Sequence, residues 1–481
     1  MEQRQGLLTA RPLAAVNPTR QWIVAALLFG LMLIDGIRQG GFWPADAFVA
    51  AAGAVVLLVA AAVANPLDRR SGCVVVALIL LAVWWGFRAA TTDSIGAVLP
   101  LGATCVAFAG AFAAARPLRG PARQVAGLGV TALGAAGSLV GFAGLVWRWF
   151  PMAMPAQGLW RLSTTLTYSD AAGLALGMCL LVALGIDRHP WLARIAVCLC
   201  TGGLLAAQSR GALLAVACAC VVVPWRRYLS LLTPLLAGGA LGIVAVATSP
   251  DAGPVPWLGV ALVVAVGIAA VPATRLRPLV QGPRARMTAG LLVLGAVVIS
   301  VFLLHHEIAL RTLAPSDHDR SVEWSTALHQ WGSAPFLGVG PDRLLVFHAS
   351  ESTTYAHFVH NEYLQIAADA GVVGLLLLLA AGAAIFRATR RFDVLSSCAC
   401  AALVCCAVGA AFDYDWHLTV VGFVGGWCAG LAARADTAET REHHGEPGED
   451  GQRGRNARGA TRTATYAGNA THVGSTSTVT L

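Results

Sequence analysis

The stretch Asp46–Arg70, DAFVAAAGAVVLLVAAAVANPLDRR, decides the fold class of this chain. Its apolar part, residues 46–64, carries one charge, and a bilayer core is crossed by about 20 apolar helical residues. A polar turn with Arg69 and Arg70 follows, and a second apolar run begins at Cys73. This alternation predicts two antiparallel membrane helices joined by a basic turn.

The composition extends this pattern over the whole chain. The 481 residues are 57% hydrophobic and 12% charged, whereas soluble proteins carry roughly 25% charged residues. Because so few charges cannot cover a soluble surface, several soluble domains are excluded. We predict an all-α polytopic membrane protein with about 12–14 transmembrane helices and one long extracytoplasmic loop that contains short helices.

Fourteen apolar runs are candidate spans. A polar, arginine-bearing stretch without a small-residue cleavage site precedes the first run, which favours a retained helix over a signal peptide. The runs lie near 21–37, 46–64, 73–90, 97–115, 125–147, 170–186, 191–207, 211–224, 229–248, 255–272, 288–304, 371–386, 395–412 and 417–433.

The orientation follows from the arginines. All 33 basic residues are arginine, against 25 acidic residues, so the net charge is +8. If the N-terminus is inside, 25 arginines fall in inside segments and eight in outside segments. Arginines hold loops in the cytoplasm during insertion, so this bias predicts a multi-pass protein of the cytoplasmic membrane with both termini inside.

This orientation divides the chain into five predicted regions. Residues 1–20 form a cytoplasmic N-terminus, and residues 435–481 form a disordered cytoplasmic tail rich in Gly, Thr, Arg and Glu. The regions between them are transmembrane helices 1–11 at 21–304, an extracytoplasmic catalytic loop at 305–370 and helices 12–14 at 371–434.

The twelve cysteines all lie within apolar runs. Pairs such as Cys198 and Cys200 point to opposite sides of a helix, so their spacing predicts neither a disulfide nor a metal site. We expect them to be small packing residues. The basic inner face is expected to meet anionic lipid, and no nucleic-acid signal is present.

The loop 305–370 is the strongest candidate for function, since it carries seven of the twelve histidines. An enzyme on the outer face has no nucleotide triphosphate and needs a preactivated, membrane-carried substrate. We predict a helix after Ser316 that Gly332 and Pro335 stop. A tight turn at 338–341 follows. A second helix is predicted from about Phe358, and it continues into the next span.

These residues resemble the O-antigen ligase/polymerase family, whose ligase and Wzy-type polymerase members transfer lipid-linked glycans outside the inner membrane. The resemblance covers about residues 160–435 and lies in the order and spacing of several short motifs. The motifs are Leu166–Ala171, Ser209-Arg210-Gly211, Arg320 with Trp324 and Leu328, Pro335 with Gly338 and Gly340, His360–Gln365, and Gly371 with Gly374 and Leu375.

The resemblance implies an undecaprenyl-pyrophosphate-linked glycan donor, a glycan, lipid or protein acceptor, inversion at the anomeric carbon, and neither metal nor cofactor. It implies that Arg210 and Arg320 hold the pyrophosphate and that His360 acts at the acceptor. Guanidinium groups bind phosphate oxygens bidentately, and imidazole can accept a proton near neutral pH. Further candidates for substrate binding are Arg311, Arg343, Asn361 and Asp170. Asp170 occupies a position where the family usually has asparagine.

Each candidate also has an ordinary structural interpretation. Arg210 could snorkel from a helix end, Arg320 could pair with Glu323 on its own helix, and His360 could be a simple helix-start residue. A zinc site at His357 and Glu362 is disfavoured because no cysteine or regular histidine spacing supports it. Three acidic residues near the outer ends of spans are expected to be solvated: Asp35, Asp413 and Asp415. For Asp413 and Asp415, a position lining a cleft is the alternative.

The leading hypothesis is a glycosyltransferase that either ligates or polymerises lipid-linked glycans. The sequence leaves ligation and polymerisation open, since the acceptor site lies in the variable loops. A secondary transporter or flippase of envelope precursors is the alternative. Against it, the two halves show no matching pair of interrupted helices. A noncatalytic scaffold for envelope assembly is the third possibility.

Overall fold

The computed structural model describes residues 18–156, 158–271, 316–343, 346–347, 355–356 and 358–433. Within these ranges seven helices are long and apolar enough to cross a membrane: Thr19–Ile37, Pro44–Ala64, Arg69–Thr91, Ile95–Ala115, Gly120–Trp147, Pro190–Ala207 and Glu362–Ala388. Six shorter apolar helices accompany them: Ser169–Ala183, Arg210–Cys220, Leu232–Ala247, Pro256–Ala270, Val394–Gly409 and Thr419–Ala432.

The predicted all-α, polytopic fold is confirmed. Every predicted span that falls on described residues is a helix, and only the run 288–304 lies outside them. The other elements are the helices Trp225–Ser230 and Ser316–Ser333, the short 3-10 helices Gln39–Gly41, Thr164–Leu166 and Asp415–His417, and two antiparallel strand pairs. The strand pairs are Ala153–Ala156 with Leu159–Leu162 and Val346–Phe347 with Tyr355–Ala356.

Small residues bring the membrane helices into close contact. A Cβ atom on Gly422 or Gly426 would collide with the backbone of Thr104 or Phe108, so the helix Thr419–Ala432 packs directly on Ile95–Ala115. Close approach through small residues is the usual packing mode of helices in lipid, where apolar burial gives little preference for protein over lipid. The cysteines share this packing role, and all twelve are free thiols in the described residues.

Arginines tie helices together at one end of the bundle, here called the arginine end. The Arg116 guanidinium donates to Asp68 Oδ1 at 2.8 Å and to the Asn65 carbonyl at 3.0 Å. Arg123 pairs with Asp393 and donates from Nε to the Leu431 carbonyl at 2.8 Å. These bonds satisfy buried charges and join helices that include ones far apart in the chain.

The opposite end, here called the loop end, carries the predicted helix in the long loop. This helix spans Ser316–Ser333, as the sequence predicted. Arg88 anchors the turn behind it, donating to the carbonyls of Leu337 at 2.7 Å and Gly338 at 3.0 Å. Gly338 has φ +71°, and a Cβ there would meet the backbone of Asp369 and Ala370, so the turn needs glycine.

The predicted start of the next helix near Phe358 was wrong, because the helix begins at Glu362. Asn361 is extended, with φ −172°, and its side-chain oxygen accepts from the Leu364 amide at 3.0 Å. This N-cap ends the preceding loop and leaves His360 one residue ahead of the cap. The helix continues into the membrane as predicted, with a break at Gly371, where φ is +66°.

Candidate functional site

Three chain segments meet at the loop end. A Cβ on Gly173 would contact Ser209, and one on Gly211 would contact Phe412. The start of the helix Arg210–Cys220 therefore lies between the start of Ser169–Ala183 and the segment 410–417. The Ser209 hydroxyl caps Ala212 N at 3.3 Å and hydrogen-bonds to Asp170. Arg210 itself is exposed at this junction.

His360 is held by Glu323 of the helix Ser316–Ser333. The Glu323 Oε2 atom lies 2.7 Å from His360 Nδ1 and accepts from the His360 backbone amide at 3.1 Å. The Glu323 side chain is 2% exposed, whereas the His360 side chain is 27% exposed. A buried carboxylate thus fixes an imidazole that still reaches solvent.

The position of Glu323 follows from packing along its helix. Ala327, one turn later, is buried against Val359 and Ala368 in a small apolar cluster. Residues four apart share a helix face, so this contact turns Glu323 toward the chain just before the helix Glu362–Ala388. Trp324 Nε1 adds a hydrogen bond of 3.3 Å to the His360 carbonyl.

The surroundings of His360 favour its protonated form. Burial lowers the pKa of His360, but the hydrogen bond to Glu323 and the negative charges of Asp413 and Glu323 outweigh burial, so the pKa is raised above its ordinary value. Arg320 opposes this shift. The imidazole therefore becomes neutral only above the ordinary histidine range of about 6.5.

Arg320 lies close enough to act electrostatically on several groups of this site. Its charge acts on His360, Asp170 and Asp415, three residues from separate parts of the chain. Arg320 and His360 therefore lie within electrostatic range of each other. Glu323, which the ordinary interpretation paired with Arg320, hydrogen-bonds to His360.

Acidic residues form the inner part of the site. Asp170 pairs with Arg161 at 2.7 Å, and Arg161 also donates to the Ala207 carbonyl at 3.0 Å. Asp413 accepts from the Tyr168 hydroxyl at 2.8 Å. Burial and the nearby Asp170 charge raise the pKa of Asp413 to about 6, and burial and Asp413 raise that of Asp415 well above its ordinary value.

The expectation that Asp35, Asp413 and Asp415 are solvated was wrong, because all three are buried. The segment 410–417 folds back into the bundle between two helices, which removes Asp413 and Asp415 from water. Asp35 is covered by the last helix, where Thr419 Oγ1 lies 2.8 Å from Asp35 Oδ2. A position at the end of an apolar run does not indicate whether the following chain covers it.

Aromatic rings border the imidazole. Tyr414 stacks on Tyr168 and on Phe358, each with 5.2 Å between ring centroids. The edge of His360 approaches Tyr414 at 5.3 Å. Together with the carboxylates and Arg320, these rings give the site apolar faces beside charged groups.

The remaining predicted residues have different positions. The Asn361 side-chain oxygen is used as a helix cap, and Arg343 donates from Nε to the Thr92 carbonyl at 2.8 Å on the outer surface. Arg311 and His357 lie outside the described residues. In the described part of the chain, no group of three or more His, Cys, Asp or Glu is arranged to hold a metal ion.

Sequence reasoning missed Glu323 as the partner of His360 and Arg161 as the partner of Asp170. The first pair is 37 residues apart in the chain and the second nine. A usable signal was present in Asp413-Tyr414-Asp415-Trp416-His417, a dense acidic and aromatic run between two apolar spans. Such a run is unusual in a membrane protein and often marks a functional cavity.

Comparison with known families supports the sequence resemblance. The family model described as O-antigen ligase matches residues 195–379. The matched range contains Arg210, Arg320, Glu323 and His360, whereas Asp170 and Asp413 lie outside it. No curated protein matches the chain at a significant level.

Proposed function

We propose, from the membership of residues 195–379 in the O-antigen ligase family, that this membrane protein is a glycosyltransferase. The donor is a glycan on undecaprenyl pyrophosphate, and the acceptor is a glycan, lipid or protein. The observation that carries the proposal is the imidazole of His360, fixed by Glu323 and placed beside Arg320 within the matched segment.

The reaction that suits these groups is a direct displacement. An acceptor hydroxyl attacks the anomeric carbon and loses its proton to Nε2 of His360. The new carbon–oxygen bond forms as the bond from the anomeric carbon to pyrophosphate breaks, and the electron pair leaves with the pyrophosphate. Attack opposite to the leaving group inverts the anomeric centre.

Arginine supplies the positive charge that the departing pyrophosphate needs. Guanidinium groups stay charged at any working pH and bind phosphate oxygens bidentately, which supports a metal-independent mechanism. Arg320 is close to His360 electrostatically, and Arg210 starts the adjoining helix. The exposed Arg343 and the predicted Arg311 belong to the same loop and are proposed as outer contacts to the glycan.

Glu323 is a positioning residue in this mechanism. Its hydrogen bond to Nδ1 selects the tautomer with the proton on Nδ1, so Nε2 is left as the base. Its charge also stabilises the imidazolium that forms when the acceptor proton is taken. This arrangement requires that the acceptor approaches His360 from the exposed side.

Buried carboxylates beside a pyrophosphate would oppose binding unless their charge were reduced. Asp170 is neutralised by its pair with Arg161. The pKa of Asp413 is raised to about 6, so its negative charge is reduced only as the pH falls toward that value. A residual carboxylate charge instead favours the positive charge that develops at the anomeric carbon.

The site is proposed to face outward across the cytoplasmic membrane, with both termini inside. The arginine bias supports this orientation, since Arg116, Arg123 and Arg390 lie at the end opposite to His360. In that orientation the donor reaches the site after its lipid carrier has been flipped.

The test uses purified protein in proteoliposomes with a lipid-linked repeat unit. We expect the wild type to transfer glycan. The Arg320→Ala variant should insert and fold but should not transfer glycan. A ladder of product lengths identifies a polymerase, and one capped product identifies a ligase. Substrate flux without transfer, unchanged in Arg210→Ala and His360→Ala, would instead identify a transporter.

A further inference from the structure

An apolar groove of about 820 Å³ runs along the membrane helices, and at the loop end it reaches Tyr363, three residues after His360. Its walls come from the helices Arg69–Thr91, Ile95–Ala115, Glu362–Ala388, Val394–Gly409 and Thr419–Ala432. The lining is almost entirely apolar and includes Leu78, Phe108 and Leu378. A groove with this lining suits a hydrocarbon chain, because it offers few partners for the backbone of a peptide.

The two ends of the groove differ in charge. Thr389, Arg390 and Arg391 line one end, and Tyr363 and Trp416 line the other. The part of the helix after its break, Gly371–Ala388, alone separates these ends by about 25 Å at about 1.5 Å rise per residue. The positive end is therefore the arginine end, on the opposite face of the membrane from His360.

Arg390 is held in place at the groove by the backbone. The Arg390 amide donates to the Ala432 carbonyl at 2.9 Å, and its guanidinium donates to the Thr389 carbonyl at 2.9 Å. Thr389 also pairs with Ala433 across the last helix. Both arginines are exposed, so their charges face the lipid headgroup layer directly at the mouth of the groove.

We propose that this groove binds one anionic phospholipid of the cytoplasmic leaflet. The phosphate and the net negative headgroup bind Arg390 and Arg391, and an acyl chain lies along the apolar lining. Basic pockets between membrane helices on the cytoplasmic side bind anionic headgroups, and guanidinium groups suit phosphate. A zwitterionic lipid presents the same chain but no net charge.

The lipid-linked donor is a poorer occupant of this groove. Its pyrophosphate must lie near His360, where the groove is lined by Tyr363 and Trp416 without an arginine. The two arginines lie at the far end, where the donor would place only the tail of its chain. The charge of the groove therefore matches a headgroup at the arginine end.

The headgroup is tested with the full-length protein in vesicles of phosphatidylcholine that contain phosphatidylglycerol. Native mass spectrometry counts the retained lipid, and titration gives its Kd. We expect Arg390→Ala/Arg391→Ala to weaken phosphatidylglycerol binding about 30-fold, as two arginine contributions of about fivefold each. Arg69→Ala/Arg387→Ala removes two exposed charges of the same end outside the groove lining and should change the Kd less than threefold.

The chain is tested by filling the groove. Gly382 lines it, and a Cβ there meets nothing within 4 Å, so Gly382→Phe places a ring in the groove without displacing the helix. We expect at least a tenfold weaker binding of phosphatidylglycerol. Gly267→Phe is the matched control, since Gly267 also has open space but lies outside the groove lining.

Three results would overturn the proposal. Equal binding of the two lipids by the wild type, or equal loss in both arginine variants, would show only general surface attraction. Unchanged lipid binding with a raised KM for the lipid-linked donor in Gly382→Phe would assign the groove to the donor chain. Because lipid binding is measured without turnover, the first two results are independent of whether the protein transfers glycans, and only the third needs an active enzyme.

Discussion

Two glutamate–histidine pairs lie within one small region of the molecule, and they differ in exposure. Glu323 and His360 are joined at 2.7 Å, with 27% of the histidine side chain exposed. Glu362 and His417 are joined at 3.2 Å, with only 4% of the histidine side chain exposed. Phe358 lies between the pairs and contacts His417 at 4.6 Å between ring centroids.

The second pair is a structural element. Glu362 also accepts from the Trp416 amide at 2.5 Å, so it ties the start of a membrane helix to the segment 410–417. Burial lowers the pKa of His417, but the Glu362 charge and hydrogen bond raise it overall. The comparison teaches that the same pair of side chains can be a partly exposed or a closed arrangement, and in the proposed mechanism only the partly exposed His360 can accept a proton from a substrate.

The largest expected effect separates the two histidines by activity. His360→Ala should lower kcat by about 10²–10⁴-fold, the usual contribution of a general base. Its loss of thermal stability should be smaller than that of His417→Ala, because water can replace the partly exposed imidazole beside Glu323. The measurement is transfer of a lipid-linked repeat unit, with unfolding followed in detergent. Wild-type turnover in this variant would remove His360 from the mechanism.

His417→Ala should lower thermal stability and have little effect on the transfer rate of the folded protein. It leaves the Glu362 carboxylate buried without its imidazole, and breaking a buried pair costs about 3–5 kcal/mol. The variant should therefore unfold at a lower temperature, while the fraction that stays folded retains transfer. A loss of transfer without a loss of stability would show that the comparison between the pairs is wrong.

The pH profile sharpens the comparison further. Because the pKa of His360 is raised, its neutral, basic form increases as pH rises, so the wild-type rate should rise with a midpoint above about 6.5. Glu323→Gln removes the charge that favours imidazolium, so the midpoint should fall and kcat should drop about 10-fold. Asp93→Asn, an exposed acid in another loop, is the control and should leave the midpoint unchanged.

The smallest expected effect concerns Arg343. Arg343→Ala should raise KM for the donor about two- to fivefold and leave kcat unchanged, because an exposed cation at the edge of a site contributes mainly to binding. Initial rates over a range of donor concentrations give both constants. A fall in kcat as large as that of Arg320→Ala would instead place Arg343 at the leaving group.

Much of the fold was predictable because the bilayer imposes it. Runs such as 46–64 need only length and low polarity to be recognised as helices, and the helix after Ser316 was marked by its own cap and stop residues. The start at Glu362 was misjudged, because Asn361 caps that helix through a local hydrogen bond that the apolar pattern does not reveal.

The candidate site was predictable only in part. The resemblance selected Arg320 and His360, which lie near each other in the structure. It did not select Glu323 or Arg161, because their contacts with His360 and Asp170 are formed only in the folded structure. Asp413 and Asp415 looked like solvated residues since burial depends on the path of the neighbouring helices.

The sequence by itself determined that this chain is a multi-pass membrane protein and which of the described segments form its apolar helices. Those properties depend on local composition, which a bilayer about 30 Å thick converts directly into helices. Only the tertiary structure decided which acids are buried, which imidazole reaches solvent and where the helices leave a groove. These properties depend on contacts between residues far apart in the chain, which local composition does not specify.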